Sequence, residues 1–118
     1  MRSRVDGILI AVDPYNSTGS ILKNVQFEDT VPALTQIRNW LYCDVFHYRI
    51  VSIDGTFFAL WFDYYHQNSG KDFNFELDNF PIYGNAVLTK IDTNSNLISC
   101  SASDVRKVRR FFENLLTF

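Results

Sequence analysis

The hexapeptide Phe57-Phe58-Ala59-Leu60-Trp61-Phe62 is apolar at every position. In an extended strand, successive side chains point to opposite faces, so both faces of this segment must be kept from water. Such a strand belongs in the middle of a sheet, with Phe58, Leu60 and Phe62 on one face and Phe57, Ala59 and Trp61 on the other. Each face then needs a cover: a helix, another sheet or a second subunit. The segment also opens a dense aromatic block. Ten of the chain's nineteen aromatic residues fall between Phe57 and Tyr83, interrupted by the polar stretch from His66 to Asp72. Aromatic side chains bury large areas and dominate cores and interfaces alike.

The remaining pattern supplies partners for that strand. At 118 residues the chain fits one domain, residues 1–118, and is long enough to build a core without staples. Residues 5–12 and 21–27 read as a strand pair joined by a turn at Asp13-Pro14-Tyr15-Asn16-Ser17-Thr18-Gly19. Asp44 to Ile53 and Thr56 to Tyr64 read as a hairpin, closed by Asp54-Gly55 in a type I′ turn. Phe73 to Leu77 alternates, with Phe73, Phe75 and Leu77 on one face, and Pro81 ends that stretch. Asn85 to Asp92 and Leu97 to Cys100 follow, separated by the turn Thr93-Asn94-Ser95-Asn96.

Two helices complete the pattern. One runs from Thr30 as N-cap, with Pro32 in its first turn, to about Tyr42, carrying the stripe Leu34, Ile37, Trp40 and Leu41. The other runs from about Asp104 to Leu116 with Ser103 as N-cap and the stripe Val105, Val108, Phe112, Leu115 and Leu116. The fold class is α+β: a mostly antiparallel, meander-rich sheet of about seven strands with two packed helices.

Composition excludes several classes. Apolar content of 47% with 20% charged residues is that of a folded globular protein. A net charge of −2 gives no strong field toward nucleic acid or membranes. The charge is unevenly spread, however. Residues 103–118 hold four basic and two acidic residues, and the remainder holds seven basic and eleven acidic. The longest apolar run is far short of a membrane span. The early run Ile8 to Val12 reads as a buried strand rather than a leader. Cys43 and Cys100 lack any zinc spacing and read as free, largely buried thiols. A soluble protein of the cytoplasm, without metal or cofactor, is the expectation. No nucleophile, metal or phosphate-loop motif is present, so a non-enzyme is expected.

Three surfaces are candidates for function. Arg106, Lys107, Arg109 and Arg110 share one arc of the last helix and offer an anion-binding surface, or simply a solvated face. Asp72, Glu76 and Asp78 alternate on the polar side of their strand, as a cation site, a mimic of DNA charge or a surface for a host protein, or as the charged, water-facing protection of a sheet edge. Tyr64, Tyr65 and His66 end the aromatic strand. They could stack on a base, mark a sheet boundary, or cover a homodimer interface. His47 shares a strand face with Val45, Arg49 and Val51.

Three phrases taken together carry a resemblance. They are Arg4-Val5-Asp6-Gly7-Ile8-Leu9-Ile10, Leu41-Tyr42-Cys43-Asp44 and Ile82-Tyr83-Gly84-Asn85-Ala86-Val87-Leu88. With a late Asp-containing turn and a terminal helix, the order resembles a family of small phage, virus and mobile-element proteins classed as a domain of unknown function. The resemblance implies an accessory protein that acts by binding, and names no catalytic residues. Three functions follow as expectations. The first is a non-enzymatic accessory protein engaging a host protein through the aromatic end and acidic strand. The second is a nucleotide or nucleic-acid binder using the basic helix with Tyr64 and Tyr65. The third is an enzyme of unassigned class.

Overall fold

A computed structural model describes residues 4–13 and 20–116. The turn expected across residues 13–19 lies, apart from Asp13, outside the described residues. These residues form eight strands and two α-helices, in the α+β class with mostly antiparallel sheets. The strands are β1 Gly7–Val12, β2 Ser20–Val25, β3 Phe46–Ile53, β4 Thr56–Asp63, β5 Phe73–Leu77, β6 Phe80–Tyr83, β7 Ala86–Ile91 and β8 Leu97–Ile98. The helices are α1 Ala33–Leu41 and α2 Ala102–Leu116. The main sheet runs β2-β1-β7-β4-β3, all neighbours antiparallel, and β8 pairs with the end of β7.

The doubly apolar strand β4 is interior, between β7 and β3. Its two faces enter two separate cores. Phe58, Leu60 and Phe62 join Ile8, Ile10 and Leu88 beneath Val108 and Phe112 of α2. Ala59 and Trp61 join Val87 beneath Ile37 and Leu41 of α1. The indole N–H of Trp61 donates to the buried Thr89 hydroxyl at 2.8 Å, so the most polar edge of that core is satisfied. Phe57, at the strand's start, lies beyond the reach of α1 and is exposed. The β3–β4 turn has φ of 49° at Asp54 and 80° at Gly55, the positive values that a type I′ turn needs.

Both helix starts differ from expectation. Pro32, not Thr30, takes the N-cap position of α1, with no side-chain cap. The buried Gln36 does the work instead: it accepts the Glu28 N–H at 2.8 Å and donates to the Val31 and Glu28 carbonyls. Leu34 falls off the apolar stripe and is exposed, because α1 covers β4 and β7 but stops short of β3. α2 begins two residues early, and Ser101 replaces Ser103 as its cap. Asp104 N–H donates to Ser101 Oγ and Ser101 N–H donates back to the Asp104 carboxylate, a reciprocal capping box. Lys90 adds an ion pair to Asp104 at 2.8 Å.

Between β4 and β7 the chain leaves the sheet and makes the hairpin β5–β6, which lies on the α2 side, with Phe75 edge-on to Phe112. Asp78 and Asn79, both at positive φ, form its turn. Pro81 therefore does not end the structure. It sits inside β6, a strand that pairs among the described residues with β5 alone, where a missing N–H is tolerated. The register shifts between Phe73 and Phe75, and this irregularity overrides the simple alternation. Asn74 turns inward and is fully buried, while Phe73 is left largely exposed. No helix among the described residues is long and apolar enough to cross a membrane.

Candidate functional site

The concavity that brings His47, Tyr64, Tyr65 and His66 together lies at the end of β4. His47 and Arg49 project from β3 on the α2 side of the sheet, His47 opposite Phe62 of β4. Beyond Asp63 the chain passes through Tyr64 and Tyr65 into a short 3-10 turn, His66–Asn68. The Asp63 carboxylate accepts the Tyr65 N–H at 2.9 Å, which fixes that exit. β6 brings Phe80 to the opposite wall. The open cavity has a volume of about 590 Å³, within the usual range for small-molecule sites.

Each wall contributes a different interaction. The Arg49 guanidinium lies 4.3 Å from the centroid of the Phe80 ring, a cation–π contact that holds the positive charge in place. Tyr64 and Tyr65 are about half exposed and meet edge to face at 4.9 Å. Gln67 and Asn68 add amides, and no Asp or Glu among the described residues lines the cavity.

His66 is the most constrained member. Only 5% of it is exposed, and it is packed by the rings of Phe62, Phe80 and Tyr83. Its Nδ1 accepts the backbone N–H of Tyr83 at 3.3 Å, so the neutral ring carries its proton on Nε2. Among the described residues Nε2 has no protein partner, and every fully buried polar side-chain atom has one, so Nε2 keeps access to solvent on a residue that lines the cavity. Burial pushes the His66 pKa below the usual imidazole value, with the Asp63 charge acting in the opposite direction. His66 is thus a fixed hydrogen-bond donor at neutral pH.

A folded-state His66 pKa below the unfolded value of about 6.5 means that the unfolded chain binds more protons in that window. Its contribution to stability is full above about pH 6.5 and is lost as pH falls from there toward the folded value. Urea midpoints measured from pH 7.5 down to 5 are expected to fall for the wild type. They should fall less for His66→Asn, whose amide oxygen can still accept the Tyr83 N–H. Equal slopes would remove His66 as the cause. The carboxylates act in a separate, lower window. For Asp6, burial pushes the carboxyl up, but hydrogen bonds from the Phe27 N–H, Arg4 and Ser99 outweigh it and leave it below the usual range. That contribution is lost only below about pH 4.

The structure separates the other candidates. Lys107 of α2 reaches Thr56, the first residue of β4, whereas Tyr64 follows its last, about 26 Å away along the strand. Arg109 bonds Asn24 on β2, the far edge of the sheet, and Arg110 borders a shallow hollow at the β3–β4 turn with Asp54. Arg106 is exposed on the same helix. The basic helix and the tyrosines therefore do not form one site, and the cation at the tyrosines is Arg49. Asp72, Glu76 and Asp78 are exposed but strung along the hairpin from one end to the other, with Asn74 turned inside between them. No cluster of three His, Cys, Asp or Glu that could hold a metal occurs among the described residues. Cys43 and Cys100 are free thiols, and burial pushes both upward in pKa.

Arg49, Phe80, Gln67 and Asn68 were not singled out in the sequence. Arg49 carried a signal, since it alternates with His47 opposite the aromatic face of β4. Phe80 carried none, because only the folded hairpin brings it across. Comparison of the chain with protein-family models, with curated proteins and with solved structures finds no match.

Proposed function

We propose that this protein is a non-enzymatic binding protein that captures a small aromatic anion, of the mononucleotide class, in the cavity of Arg49, Tyr64, Tyr65 and His66. The observation that carries the reading is the pairing of one fixed cation with one fixed neutral donor inside an aromatic wall. Half-exposed tyrosine faces suit a base, and stacking is typically worth about 1–3 kcal/mol per base. Arg49 and the Nε2–H of His66 suit a phosphate, and among the described residues the cavity lining has no carboxylate to repel it. The state of His66 argues for binding over turnover. A general base needs a free lone pair, and here Nδ1 is already engaged by a backbone N–H.

Calorimetric titration with nucleoside monophosphates and the matching nucleosides tests this. The phosphates are expected to bind and the nucleosides to bind weakly. Arg49→Met is expected to weaken binding by about 10- to 100-fold, the value of a charged hydrogen bond at 1.4 kcal/mol per decade. Absence of binding by every nucleotide would end the reading.

A second reading is favoured by the exposure of Tyr64 and Tyr65. They would anchor a host protein, as the sequence resemblance to phage and mobile-element proteins suggests. Aromatic anchors of this kind concentrate binding energy at interface centres. A host partner lost on Tyr64→Ala/Tyr65→Ala but retained on Arg49→Met would favour it over the nucleotide.

A further inference from the structure

The outer edge of β3 has no strand beside it among the described residues, and the strand itself indicates what would pair there. The Val45 carbonyl accepts the Tyr64 N–H at 3.0 Å, on the β4 side. In an antiparallel ladder alternate residues turn both N–H and C=O to the same neighbour. Val45, His47, Arg49, Val51 and Ile53 therefore bond to β4, and Phe46, Tyr48, Ile50 and Ser52 hold theirs outward. The edge is eight residues long, with no proline, no bulge and one formal charge, Arg49. Natural edges are usually guarded by those very devices. The side chains of the outward set lie on the α1 side, where α1 does not reach. Tyr48 is 43% and Ile50 49% exposed, beside an exposed Leu34.

We propose that β3 pairs antiparallel with β3 of a second copy, about a two-fold axis through Tyr48. In that register Tyr48 faces its own counterpart and Phe46 faces Ile50 of the second copy, so the pairs between Phe46 and Ile50 are aromatic or aliphatic and can exchange two backbone hydrogen bonds each, while Ser52 comes opposite Asp44 at the end of the ladder. On the other face His47 comes opposite Arg49. Moving the axis to Arg49 sets two guanidiniums against each other, which like-charge repulsion disfavours. Moving it to Ile50 exchanges the Phe46 contacts for Ser52. The Tyr48 register is thus the self-complementary one, as a closed dimer requires. It joins two sheets into one and does not depend on any ligand in the cavity.

Sedimentation velocity of the full chain is expected to give twice the 13.7 kDa of one chain. Tyr48→Lys places two ammonium groups at the axis and is expected to give a monomer with an unchanged far-ultraviolet spectrum. A second measurement covers the case in which that variant misfolds. Opposed residues in such a pair lie about 5.5 Å apart at Cα, within disulfide range. In a Cys43→Ser background, Tyr48→Cys is expected to cross-link to itself under mild oxidation and Ser52→Cys is not. A monomeric wild type, a dimer that survives folded Tyr48→Lys, or Ser52→Cys cross-linking as fast as Tyr48→Cys would each overturn the proposal.

Discussion

Asn74→Ala is expected to destabilise the fold by about 3–5 kcal/mol, because two buried carbonyls lose a side-chain donor at about 1–3 kcal/mol each and a small void is added. Asn74 is fully buried. Its amide donates to the carbonyls of Ile10 and Gly84 at 2.9 Å each, and its side-chain oxygen accepts the Ser20 hydroxyl. One side chain thus ties the β5–β6 hairpin to β1, to β2 and to the segment entering β7. Against a typical total of about 5–15 kcal/mol, such a loss is a large share. The consequence reaches the cavity, since β6 supplies Phe80 and the Tyr83 N–H that fixes His66. Urea unfolding measures the loss, and amide exchange in β6 should accelerate most. Asn74→Asp keeps the acceptor and removes both donors, so it should be no milder than alanine. A loss below about 1 kcal/mol for both variants would show that the hairpin is docked by its apolar contacts alone.

Lys71→Met is the second large effect, expected at about 3 kcal/mol, the low end for breaking a buried ion pair because part of Lys71 meets solvent. The Lys71 ammonium has three acceptors at 2.9 Å: the Asp63 carboxylate and the carbonyls of Leu41 and Tyr42. Those carbonyls close the C-terminal end of α1, where a cation also meets the negative end of the helix dipole. Methionine fills the space of the stem and leaves a 6%-exposed carboxylate unpaired. Adding Asp63→Asn removes that stranded charge while keeping an acceptor for the Tyr65 N–H. The double variant is therefore expected to be more stable than Lys71→Met alone. A double-mutant cycle reads the coupling, and strict additivity would mean that the pair contributes nothing. The same contact accounts for glycine at position 84. Its φ is +81°, and a Cβ there would stand 2.6 Å from Lys71 Cδ, so glycine lets the lysine stem pass.

Much of the architecture was legible because it rests on local periodicity. The Asp54-Gly55 turn, the central placement of β4 and the paired β1 and β2 all follow from alternation and turn chemistry, which act over a few residues. The errors share another origin. Ser103 and Ser101 are both suitable caps by type, and what selects Ser101 is the position of Asp104, itself held by Lys90 from β7. Thr30 was displaced because Gln36 reaches back to residues 28 and 31. Strict alternation would set Asn74 on the polar side with Asp72 and Glu76, and a register shift that no residue announces turns it inward.

The candidate site divides the same way. From the chain alone, Tyr64, Tyr65 and His66 mark the polar-tipped end of a strand expected to be buried on both faces, a placement that spares five of its six consecutive apolar residues from water and leaves Phe57 exposed. Whether those residues are an exposed patch or the wall of a cavity was settled only by tertiary structure. The hairpin folds back to bring Phe80 under Arg49 and the Tyr83 N–H onto His66, contacts that span 31 and 17 positions. The same geometry set Lys107 at the opposite end of β4 from the tyrosines, although type and charge alone allowed them to meet. Periodicity determines which face a residue takes. Which distant residue it meets depends on how turns and a bulge register separate segments, and that information lies in packing rather than in the order of residue types.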